Sequence, residues 1–302
     1  MLNLLPTLAA SDPVEHVIDK PIITGEVFGQ TWWIVSDATV MLVLGALVTA
    51  ALVIPAARRI QTGRQRTLED FRAQGVLANL VESVCVYLRE DVFKPVLEDQ
   101  TDRYCPMLWT FFWFILVCNL MGLVPIRDLT AMLGINHGHG VGGTATQSIW
   151  VTSGLAVIAF IFYNGVALIK DPIGYFKHLT MGAPWYMWII MVPVELIGTL
   201  IKPFALAIRL FANMTGGHLV IAVLLSFVGP LVQMTGPGKG LLILPLLGAV
   251  AINMLEILVA FIQAFIFTFL TCLFLAQLVV HEHEEEHDEH EPHGPAPAHA
   301  AR

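Results

Sequence analysis

The sequence predicts an all-α integral membrane protein. It should have about five membrane-embedded helices plus one amphipathic surface helix, the last two membrane helices long, steeply inclined and folded as an antiparallel hairpin. Three observations predict this class. Hydrophobic residues fill 56% of 302 positions and charged residues only 13%, against about 25% charged in soluble domains. Several apolar runs reach the roughly 20 residues that cross about 30 Å of hydrocarbon as helix. Strand-like alternation with regular hairpin turns is absent, which argues against a membrane β-barrel.

The net charge of −8 is unevenly placed. Residues 281–302 hold seven acids and one arginine, or −6, which leaves about −2 for the rest. No basic footprint for nucleic acid exists. The four cysteines (Cys85, Cys105, Cys118, Cys272) lack metal-ligand spacing and read as buried thiols. The first residues, MLNLLPTLAASDP, lack the basic start of a signal peptide.

Residues 1–30 read as an external N-terminal segment, 31–280 as a single membrane domain, and 281–302 as a disordered His/Glu-rich cytoplasmic tail. The first span covers about residues 32–57, with Trp32 and Trp33 placed as interfacial aromatics. It ends in Arg58, Arg59, Arg64 and Arg66, the densest basic cluster in the chain. The positive-inside rule makes that end cytoplasmic and the N-terminus external. In residues 67–98, Phe71, Val76, Leu80, Val84, Tyr87 and Leu88 recur near helical spacing among charges. That pattern is an amphipathic helix on or beside the membrane.

A second span covers about residues 107–126, and a Gly/His-rich loop (GINHGHGVGG) follows outside. A third span, about 148–169, returns to Lys170, Lys177 and His178 on the cytoplasmic side. Residues 184–228 and 241–280 are then two very long apolar runs. As helices they measure about 68 and 60 Å, twice the membrane thickness. Nothing near Lys202-Pro203 can reverse the chain. Two inclined helices joined by QMTGPGKG (233–240) fit better, and such tilts require a large protein partner to pack against.

Polar residues interrupt these two helices. On the first, Glu195, Lys202 and Arg209 recur every seven residues, which keeps them on one face. Asn213 extends that stripe at i+4, and His218 follows. On the second, Asn253, Glu256 and Gln263 form a comparable stripe. An antiparallel register that sets Arg209 level with Gln263 also brings His218 and Glu256 to nearly one level. A histidine and a carboxylate inside a membrane suit proton relay.

A lone buried Asn or Gln most often bonds a neighbouring helix, and Lys202 can simply reach an interface. Arg209 differs, because a guanidinium at bilayer depth costs at least about 2.5–3.5 kcal/mol. Such a cation needs a counter-charge or a water-filled cavity. Glu195 and Glu256 are the acids of the two long helices, about 21 Å and 10.5 Å along the axis from its level. Its partner is therefore expected from outside the chain.

Three runs carry a resemblance to a known family. The segment Ile201–His218 (IKPFALAIRLFANMTGGH) resembles the signature helix of subunit a of the F-type ATP synthase. Leu255–Thr271 resembles the last helix of that family, and CNLMGLVP (118–125) the exit of its second span. The likeness covers roughly residues 15–280. It implies a bacterial inner-membrane stator subunit, N-terminus outside and C-terminus cytoplasmic, facing a ring of c subunits and held by the peripheral-stalk subunit b and the rest of the complex. It implies no cofactor, no metal and no covalent catalysis.

By the same resemblance, Arg209 is the arginine that meets each c-subunit carboxylate between two offset half-channels. Asn213 and Gln263 stand beside it, His218 and Glu256 in the outer half-channel, Glu195 in the inner one and Asn119 on the second span. Arg127, the loop at 134–143 and the length of the tail depart from the family pattern.

The tail also contains His283-Glu284-x-x-His287, a literal match to the zincin motif. It arises within a low-complexity His/Glu run and reads as solvated chain that binds Zn²⁺ or Ni²⁺ adventitiously. Other readings are a secondary transporter using Arg209 to bind an anionic substrate, which inverted repeats would favour, and an intramembrane metalloenzyme using the tail.

Overall fold

In the computed structural model the described residues are 21–27, 30–60, 75–124, 126, 130, 145–170, 172, 174–175, 180, 184–233 and 237–279. Arg64, Arg66, the start of the expected amphipathic helix at Phe71, Arg127, the Gly/His-rich loop and the His/Glu-rich tail lie outside them. Among the described residues, five helices are long and apolar enough to cross a membrane. The chain is an all-α membrane bundle with one small β addition.

That addition corrects the expected start of the first span. Strands β1 (Pro21–Val27) and β2 (Gln30–Ser36) form an antiparallel hairpin, with Thr24 opposite Trp33 and Val27 opposite Gln30. Trp32 and Trp33 thus belong to a strand, and the first helix, α1, runs Asp37–Ile60. The reason is local. Thr31, Trp32, Trp33, Ile34 and Val35 are β-branched or aromatic and favour a pleated chain. Ser36 then caps the helix, its Oγ accepting the Thr39 N–H at 3.4 Å.

Next come α2 (Val76–Tyr87), a π-helical turn (Leu88–Phe93), α3 (Lys94–Leu97), a 3₁₀ turn (Glu98–Gln100) and α4 (Thr101–Leu123). The segment read as a separate surface helix therefore runs almost directly into the second span. Its inward face holds Ala78, Val81 and Leu88, while Val76 is 85% exposed and Leu80 and Tyr87 face out. Two indole donors fix that rotation: Trp109 Nε1 bonds the Cys85 carbonyl at 3.1 Å, and Trp113 Nε1 bonds the Cys85 Sγ at 3.4 Å. The charges here satisfy one another. Arg89 donates twice to Asp102 (2.9 and 2.6 Å) and pairs with Glu90, which also accepts from Lys94 at 2.8 Å. Glu98, at φ 47°, takes the strained conformation at the corner.

Helix α4 is the centre of the core. Leu108, Phe111, Phe112, Trp113, Ile115 and Leu116 are buried, and the Phe111 ring lies 5.9 Å from Phe267 and 6.2 Å from Phe162. It packs against α1 where Gly45 meets Cys118, since a Cβ on Gly45 would stand 2.6 Å from the Cys118 Sγ. All four cysteines are free thiols.

After a 3₁₀ turn (Ala145–Gln147), α5 (Ile149–Lys170) buries Thr152, Leu155, Ala156, Ala159, Tyr163 and Ala167. This is one helical stripe of mostly small residues, packed against the last two long helices. Those are α6 (Trp188–Ser226), followed by the short α7 (Val228–Gln233), and α8 (Ile243–Val279). Their 39 and 37 residues correspond to about 58 and 56 Å of helix.

Candidate functional site

Three contacts fix how α6 and α8 pair. Lys202 Nζ sits 4.9 Å from the Phe274 ring centre, Gly217 abuts the Glu256 side chain, and a Cβ on Gly248 would touch Leu224 at 3.3 Å. As α6 advances, α8 recedes at nearly the same pace. The helices are antiparallel, with Arg209 within about one turn of the level of Gln263. Glu256 lies beside the Gly217-His218 step.

The two faces of α6 differ in kind. Its buried side chains among the described ones are Ala207, Leu210 and Met214, spaced three and four apart. Arg209 and Asn213 lie outside that stripe and are exposed. Arg209 has no ion pair among the described residues. The helix runs unbroken through Thr215-Gly216-Gly217. Nothing there rotates His218 back toward Arg209, and the nine-residue separation leaves them about 180° apart.

Gly217 explains how a carboxylate fits between helices. A Cβ there would overlap the Glu256 Oε1 and stand 2.7 Å from its Cδ. Only glycine leaves room. Glu256 is 4% exposed, and neither of its oxygens has a hydrogen-bond partner among the described residues. Gln263 is 2% exposed and its Nε2 is likewise unpartnered. Level placement has not brought Gln263 into a bond with Arg209. His218 and Asn253 are half-buried.

Asn119, near the end of α4, is 0% exposed. Its Oδ1 accepts from Thr146 Oγ1 at 2.9 Å, and its Nδ2 has no partner among the described residues. Glu195 is half-buried and separate from this group, its carbonyl accepting from Thr199 Oγ1 at 2.8 Å. Near that end of the pair, Tyr175 donates to the Asn164 Oδ1 at 3.0 Å, and burial raises the pKa of its hydroxyl.

The structure thus brings Glu256 and the Gly217-His218 step together inside the bundle and puts Arg209 and Asn213 outside it. Sequence reasoning missed Asp37, Thr146 and Thr215, all polar and none of them exposed. Asp37 carried a signal, an acid in a first helical turn after Ser36. Thr146, in a short 3₁₀ turn, and Thr215, within α6, carried none, since a single threonine has no distinguishing pattern. Among the described residues no cluster of His, Cys, Asp and Glu could hold a metal.

Fold and site define a polytopic membrane protein that holds ionisable side chains on opposite faces of one long helix. Residues 38–276 match the sequence profile of the ATP synthase A chain family, and the chain belongs to it. "ATP synthase subunit a" of Chloroherpeton thalassium is 45% identical over 226 residues, covering 74% of this chain and 60% of that protein. "ATP synthase subunit a 2" of Chlorobaculum tepidum is 34% identical over 92% of this chain and 75% of its own length. The same-named protein of Chlorobium luteolum is 36% identical over 95% and 72%.

Proposed function

We propose that this chain is the proton-translocating membrane subunit of an F-type ATP synthase, coupling ion flow to rotation of a ring of c subunits. The observation that carries the reading is the exposure of Arg209 on a helix apolar enough to span a membrane. Facing lipid, that charge would cost several kcal/mol. Facing a succession of carboxylates on a moving partner, it is compensated.

The surroundings of Arg209 fit such a partner. Ala205, Ala212 and Gly216 share its face of α6 and are exposed, and a Cβ on Gly216 would meet nothing within 4 Å in this chain. Small residues let another helix approach closely. Arg209 attracts a deprotonated carboxylate at the boundary and disfavours a proton passing straight between the half-channels. Asn213 and Gln263 flank it, Glu256, His218 and Asn119 form the outer half-channel, and Glu195 serves the inner one. The chain performs no covalent chemistry. It works within the assembled complex, with the peripheral-stalk subunit b, in a bacterial inner membrane, N-terminus outside and C-terminus cytoplasmic.

The test is ATP-driven proton pumping and ATP synthesis by membranes carrying Arg209→Ala. Both are expected to vanish at normal complex content. Coupled pumping that survives in this variant overturns the reading.

A further inference from the structure

We infer that Thr146 is a positioning residue for proton passage: it holds the Asn119 amide so that its nitrogen stands as a donor at the level of the Glu256 carboxylate. This rests on the reading of the chain as a proton-translocating subunit.

The geometry begins with α4 and α8. Phe111 packs on Phe267, and Cys105 lies near Cys272, so these helices are also antiparallel. Eight residues beyond Phe111, Asn119 stands opposite about Val259, within one helical turn of Glu256. The pairing of Gly217 with Glu256 brings Thr215 to the same level from α6. At this depth three side chains from three helices keep buried polar atoms without a protein partner among the described residues: Asn119 Nδ2, Thr215 Oγ1 and both Glu256 oxygens. Their chemistry is complementary, a donor, a hydroxyl and a double acceptor. Buried polar groups of this kind are satisfied through bridging water.

Asn119 can serve there in only one orientation. A free amide flips, and presenting Oδ1 instead would set an acceptor against the Glu256 acceptors. Thr146, itself 0% exposed, anchors the amide by donating to Oδ1 at 2.9 Å, and the two Glu256 acceptors favour the orientation that leaves Nδ2 toward them. It reaches Asn119 from the 3₁₀ turn Ala145–Gln147, which packs between α1, α4, α5 and α6. The hydroxyl, and not merely the volume, should therefore matter.

The experiment uses the assembled complex in membranes, with passive proton conduction through the membrane sector measured per assembled complex after the soluble sector is removed. Thr146→Val keeps the shape and removes the donor, and conduction is expected to fall about five-fold, the usual worth of one hydrogen bond. Thr146→Ser should restore conduction close to the parent value. Asn119→Ala should be impaired, and adding Thr146→Val to it should change nothing further. The proposal is overturned if Thr146→Val conducts like the parent, if Thr146→Ser is as impaired as Thr146→Val, if Asn119→Ala is without effect, or if the two defects multiply. Arg209→Ala is measured in parallel for coupled pumping. Its result reports on the underlying function and leaves the Thr146 comparisons to report on positioning.

Discussion

A proline within a helix strands the carbonyl four residues before it, and Pro203 does this to Thr199. Tyr163, on the neighbouring α5, supplies the missing donor: its hydroxyl bonds the Thr199 carbonyl at 3.1 Å. Tyr163→Phe removes that donor and leaves a carbonyl unpaired inside the bundle. It should destabilise the complex by about 1–3 kcal/mol, read as a lower midpoint of thermal or detergent denaturation. An unchanged midpoint would show that the Thr199 carbonyl is satisfied without the tyrosine hydroxyl. At this scale the sequence was uneven to read. Arg209 was conspicuous because a guanidinium in an apolar run has few uses. Tyr163 was silent, because a tyrosine becomes a helix clamp only when a stranded carbonyl lies 36 positions away in sequence and adjacent in space.

Gly216 and Gly217 are consecutive, about 100° apart around α6, and meet different surroundings. A side chain on Gly217 collides with Glu256, whereas one on Gly216 meets open space in this chain. Gly217→Ala is expected to displace the Glu256 carboxylate and to lower both proton conduction and complex content. Gly216→Leu should leave the chain folded and inserted but block close approach of a partner helix, so coupled pumping falls at unchanged subunit level. Equal damage to folding by both substitutions would refute the two-faced arrangement. Much of this pairing was legible in the sequence, because polar residues recur with a period that admits few antiparallel registers. The continuity of α2 with α4 was not. Arg89, Glu90 and Asp102 interrupt the apolar sequence, yet they neutralise one another within one tight cluster. Charges that pair locally let the chain turn at Glu98 and pass straight on into the next helix.

For the whole molecule, hydropathy placed the five long helices because apolar length is a property of each run alone. The β1–β2 hairpin escaped notice because paired tryptophans also suit a membrane interface, and only pairing with β1 decides between the two. Charge supports the proposed orientation: Arg58 and Arg59 close α1 and Lys170 closes α5, and the positive-inside rule would put both ends in the cytoplasm. Alkaline phosphatase fused after residue 66 or 178 should be inactive, and the same enzyme fused at residue 139 active. The reverse pattern would invert the assignment of inner and outer half-channels.

The unbroken course of α6 between Arg209 and Gly217 has one more consequence. A helix is about 10 Å across and satisfies its own backbone polar groups, so its body is an insulator. With Glu256 against Gly217 on the packed side and Arg209 on the exposed face, α6 would serve, under the proposed function, as a partition between two electrical compartments. Near Pro203, where the missing N–H would open a polar breach in that partition, the Tyr163 hydroxyl plugs it. Leakage across such a wall would then be prevented by its fabric as well as by the charge mounted on it.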